Sequence, residues 1–118
     1  MARLDDPLQS ELREQALALG ATYFGVADLE PVRTFVTAQG GDWLGDYRFG
    51  VSVGIVLSDA VVDQLYQHVN RDIARTYHHH IYTAVAGMLD RTAATLAFAI
   101  ERAGYRAFPV PASSPYND

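Results

Sequence analysis

The stretch Phe49-Gly50-Val51-Ser52-Val53-Gly54-Ile55-Val56-Leu57 decides the fold class of this chain. Side chains alternate between the two faces of a strand. Phe49, Val51, Val53, Ile55 and Leu57 therefore share one face, and Gly50, Ser52, Gly54 and Val56 share the other. That period predicts a half-buried β-strand over 49–57. The glycines permit close approach of another backbone or of a ligand, and a covering helix is the expected neighbour.

Upstream, Ala21-Thr22-Tyr23-Phe24-Gly25-Val26-Ala27 is apolar, aromatic and β-branched, too short for a helix, and predicts another strand. Before it, Leu8, Leu12, Ala16 and Leu19 recur at helical spacing. Asp6 is the expected cap, Pro7 the first helical residue and Gln9 the third position after the cap. Gly20 is the expected helix stop. Pro31 opens a short helix through Val36. The glycines and aspartates of 37–47 predict a loop, with Trp43 and Leu44 either folding back onto the core or forming an exposed contact patch.

Downstream, Ser58 and Asp59 open a further helix with Val61, Val62, Leu65 and Tyr66 as its apolar face. The longest helix is expected over 72–103, on the stripe Ile81, Val85, Met88, Leu89, Thr92, Leu96, Ile100 and Ala103. Its alanines favour helix, and Gly104 ends it. Residues 105–110 predict a third strand, which Pro109 makes short or places at an edge, and 111–118 read as a tail. The fold expected is α/β in the two-layer α+β sense: a small mixed sheet of about three strands packed by three to four helices, one of them long. Residues 1–118 form a single domain, the usual size for one. A sheet of this size leaves an edge open, so either a second copy pairs with it or more protein follows.

Composition narrows the chemistry. The chain has no cysteine, which excludes disulfides, thiol catalysis and cysteine-bound zinc or clusters. All nine basic residues are arginine, so Schiff-base chemistry on lysine is excluded. The net charge of −5 disfavours phosphate-neutralising nucleic-acid binding, unless Arg71, Arg75, Arg91, Arg102 and Arg106 converge in space. No apolar run approaches the ~20 residues of a membrane span. Met1-Ala2-Arg3-Leu4-Asp5-Asp6 lacks a signal-peptide apolar core, and a cytoplasmic location is expected.

His78-His79-His80 draws attention as a possible site. Consecutive helical residues point about 100° apart, so three in a row cannot share one face, and the i, i+4 histidine pair of a helical zinc site is absent. The expectation is one partly buried histidine and two solvated ones. The alternative is that Tyr77, His78 and His80 line a ligand cleft, with Ser113 at its lip. No metal site is expected. Asp59, Asp63 and Asp72 fall at helix beginnings, where capping explains them. No serine lies in a nucleophile elbow, and no phosphate-binding glycine loop is present.

The motifs, taken in order, carry a resemblance. Leu19-Gly20-Ala21-Thr22-Tyr23-Phe24-Gly25-Val26-Ala27-Asp28, Val51-Ser52-Val53-Gly54-Ile55-Val56-Leu57, Tyr77-His78-His79-His80 with Leu89-Asp90-Arg91, and Gly104-Tyr105-Arg106-Ala107-Phe108-Pro109-Val110-Pro111-Ala112-Ser113 resemble the N-terminal, cysteine-free half of the epoxyqueuosine-reductase-like iron–sulfur proteins. The resemblance implies a following half with cysteine motifs for [4Fe–4S] clusters, a corrinoid as a further cofactor, and an oxidoreductase as the parent protein. It makes the missing iron–sulfur half, or a second copy in a homodimer, the expected partner, with no turnover from this chain alone. A stand-alone ligand-binding or dimerisation module is the other reading. The sequence departs from the family at Val56, where proline is common. It also departs at 109–113, which lack the acidic proton donor of the true reductases, so the queuosine reaction does not carry over.

Overall fold

The computed structural model describes residues 5–41, 45–63 and 71–112. The order is α1 (Asp6–Ala18), β1 (Tyr23–Asp28), a 3-10 turn (Glu30–Val32), α2 (Arg33–Ala38), β2 (Phe49–Gly54), α3 (Asp59–Val62), α4 (Arg71–His79), a π-helical segment (His80–Val85) and α5 (Ala86–Arg102). The last three run on as one 32-residue helix. The expectations for Trp43, Leu44, Leu65, Tyr66 and Ser113 lie outside the described residues.

α1 starts one residue earlier than its sequence suggests. Asp5 is the flanking residue, Asp6 and Pro7 are the first helical positions, and Asp5 contributes its carbonyl, to Gln9 N–H at 2.8 Å, rather than a side-chain cap. The capping arrangement expected from Asp6 and Gln9 therefore does not form. The stop is as expected. Gly20 takes φ 103°, where a Cβ is costly. Its N–H bonds to Leu17 O and that of Ala21 to Ala16 O, the paired bonds of a Schellman end. Gly104 closes α5 in the same way, through Glu101 and Ile100.

β1 and β2 pair antiparallel, Phe24 opposite Val53 and Val26 opposite Val51. β2 ends at Gly54, short of the expected Leu57, because Thr22 takes over beyond that point. Its backbone N–H donates to Gly54 O (2.7 Å), and its hydroxyl accepts the N–H of Val56 (3.1 Å). A side chain thus replaces the next rung of the ladder. Ala21, expected in β1, is instead buried in the core.

One face of the sheet packs on the helices. Leu8, Leu12 and Ala16 of α1, with Ala21, Leu96 and Ala99, form the core, and Phe24, Val51, Val53 and Ile100 pack against it. Leu12 and Thr92 have no exposed surface, and the Thr92 hydroxyl is satisfied by Met88 O at 2.8 Å. Among the described residues no helix covers the glycines of β2. Cross-strand and neighbouring side chains do so: Tyr23 lies over Gly54 and Leu29 over Gly50.

The sheet of the described residues has two strands and is wholly antiparallel, not a mixed sheet of three. Residues 105–110 form no ladder. They are held at both ends by α5, through the Gly104 stop and through Ala112 N–H, which donates to Asp90 Oδ1 at 2.7 Å. Between these tethers the segment stands off β2.

Candidate functional site

That separation opens a concavity. An open cleft of about 1090 Å³ lies between β2, the inner face of α5 and residues 104–112. Its floor is apolar, with Val51 and Val53 from β2 and Leu89, Ala93 and Leu96 from α5. Its far bank carries Phe108 and Val110, residues that are 53% and 62% exposed. Cofactor-scale ligands occupy clefts of roughly 300–1,000 Å³ with mainly apolar walls.

An ion pair stands at one end of the cleft. Arg48, one of its lining residues, donates from Nη2 to Asp28 Oδ2 (3.2 Å) and from Nε to Oδ1 (3.4 Å), and Glu30 N–H also donates to Asp28 Oδ1 (2.9 Å). The Arg48 guanidinium and then the Glu30 N–H hold the Asp28 carboxyl below its ordinary value, and Asp28 raises Arg48 in return. Both effects follow from hydrogen bonds to the charged forms. Nothing in the sequence signals this pair, because its members are 20 residues apart.

The histidine cluster is elsewhere. Tyr77, His78 and His80 do not line the cleft. His78 is exposed and packs its ring on Tyr82, with centroids 4.7 Å apart. His79 is exposed. His80 is half-buried, and its Nε2 accepts the backbone N–H of Ser58 at 2.8 Å. One partly buried histidine and two solvated ones is the arrangement the spacing predicts. With Nε2 accepting, the neutral ring carries its proton on Nδ1. A smaller apolar pocket of about 220 Å³, between Ile55, Leu57, Ile81, Tyr82 and Val85, lies beside this contact.

Among the described residues no group of three or more histidines or carboxylates could hold a metal ion. The chain's lack of cysteine leaves nothing to bind a [4Fe–4S] cluster, which takes four thiolates. The arginines do not converge: Arg71 and Arg102 stand at opposite ends of the long helix, about 46 Å apart at 1.5 Å per residue. No helix among the described residues is long and apolar enough to cross a membrane. Comparison with protein-family models, with curated proteins and with solved structures gave no match.

Proposed function

We propose that this chain is the cysteine-free, cofactor-proximal domain of an epoxyqueuosine-reductase-like iron–sulfur redox protein of the cytoplasm, and that the cleft is its working surface. One observation supports this above others: two of the four resembling stretches meet at the same cleft, Val51–Val53 on one bank and residues of 104–112 on the other. Residues that look alike in sequence order are thereby drawn to one place. The clusters belong to a partner half, since this chain cannot bind them. A corrinoid is the cofactor class whose size suits the cleft, with the apolar floor under the macrocycle and polar backbone along the β2 edge for its amide side chains. The chain alone supports no turnover.

The test is a corrinoid titration of the 118-residue chain followed by the corrinoid absorption spectrum, alongside iron and acid-labile sulfide assays of the native polypeptide that contains the sequence. A saturable spectral change suppressed by Val51→Arg, with iron in the native product, supports the reading. An iron-free native product and no spectral change would remove it.

The edge of β2 that no strand pairs with among the described residues favours a second reading, a module that completes its sheet by dimerising. Sedimentation equilibrium separates the two. A concentration-dependent dimer abolished by Val53→Pro supports the module, and a monomer at all concentrations excludes it.

A further inference from the structure

The backbone on the two banks of the cleft is complementary. Leu29 N–H donates to Arg48 O at 2.7 Å, and the register pairs Ala27 with Gly50 and Gly25 with Ser52. These residues turn their backbone groups toward β1. Alternation along a strand then points the N–H and C=O of Phe49, Val51 and Val53 toward the opposite edge. Among the described residues no second strand pairs with that edge.

The facing segment runs in the same direction as β2. Near its start, Arg106 Nη1 lies 4.0 Å from Asp46, just before β2. At its end, Ala112 shares the smaller pocket with Ile55 and Leu57, just after β2. A strand, a long helix and a returning parallel segment form a β–α–β unit, the usual connection between parallel strands. The two prolines fit this geometry. Pro109 and Pro111 are two residues apart, so their missing N–H groups fall on a single edge, and Val110 presents a complete N–H and C=O on the other. Proline is tolerated in a strand when its lost donor faces away from the partner.

We propose that residues 104–112 are a strap and that the cleft is its open state. On closing, the strap docks along β2 as a parallel third strand. Val110 N–H then donates to Val51 C=O, Val53 N–H donates to Val110 C=O, and the Val110 side chain lies beside Ser52. The closed strap fills the cleft, so a cleft ligand and the docked strap exclude each other. This rests on the ladder geometry alone and holds whichever ligand class the cleft takes.

The test is amide hydrogen exchange, read by NMR, on the 118-residue chain and two variants. Val110→Pro removes the pairing donor, and Pro109→Ala changes a residue on the other edge. The expected result is that Val53 N–H exchanges at least ten-fold faster in Val110→Pro than in the parent or in Pro109→Ala. Equal rates in all three overturn the proposal. Should Val110→Pro fail to fold, oxidation of Ser52→Cys/Val110→Cys in this otherwise cysteine-free chain decides. A disulfide there, but not in Ser52→Cys/Pro109→Cys, upholds closure; no disulfide in either, or one in both, overturns it.

Discussion

The backbone N–H of Ser58 donates to Nε2 of His80 across 2.8 Å, tying the start of α3 to the start of the π-helical turn. A net contribution of about 1 kcal/mol is typical for such a bond. His80→Ala is therefore expected to lower stability by about 1 kcal/mol in urea denaturation. His79→Ala, at an exposed position, should stay within about 0.5 kcal/mol of the parent. Equal effects at the two positions would show that the Ser58 bond contributes nothing.

Gly20 and Gly87 should respond in opposite directions to alanine. At Gly20 the backbone has φ 103°, and a Cβ would meet Met88 Cε at 2.8 Å. The left-handed conformation alone costs a non-glycine residue roughly 1–2 kcal/mol, so Gly20→Ala destabilises by at least that much. Gly87 lies inside α5, with open space where a Cβ would go. Gly87→Ala should stabilise by roughly 0.5–1 kcal/mol. Thermal melts of the two variants check the sign.

Leu12 is fully buried at the centre of the α1–sheet–α5 core. Leu12→Ala should cost about 2–5 kcal/mol, according to how far the site collapses. Leu17, on the exposed side of the same helix, is the control. Its alanine variant should change the denaturation midpoint little, and a comparable loss there would contradict the assigned face.

Asp28 sets an acid limit. Its carboxyl is held below the ordinary value by the Arg48 hydrogen bond and then by Glu30 N–H. A depressed folded-state value means that the stabilisation is fully present above the unfolded-state value, about 3.9, and is lost as pH falls through the lower folded-state value. Asp28→Asn should thus be less stable than the parent at neutral pH and converge with it in acid. Because Arg48 is half-exposed, added salt should narrow the neutral-pH gap. A gap independent of pH would assign the effect to packing.

What the sequence made legible was what is local. Leu8, Leu12 and Ala16 announce the buried stripe of α1, Val51 and Val53 the buried face of β2, and Gly20 and Gly104 the helix ends. What escaped was set by distant partners. β2 ends where Thr22, more than thirty residues away, supplies a side chain instead of a ladder rung. Residues 105–110 have strand-like composition, but in this structure their ends are tied to α5, at Asp90 and at the Gly104 stop, and they form no ladder with β2. The candidate site shifted for the same reason. The histidines stood out by adjacency alone, whereas the cleft is assembled from β2, α5 and the returning segment, and its ion pair spans 20 residues.

The π-helical segment also acts as a phase shifter. A turn closed i→i+5 holds one residue more than an α turn, so the face of α4 is rotated relative to the core-facing stripe of α5. Residues before His80 and after Val85 consequently follow two different azimuths along one continuous rod. Removing a single residue between them would turn α4 by about 100° and carry the imidazole that holds Ser58 off its azimuth. The length of this segment thus indexes the first half of the long helix to the β2–α3 connection, as the teeth of a gear index one shaft to another.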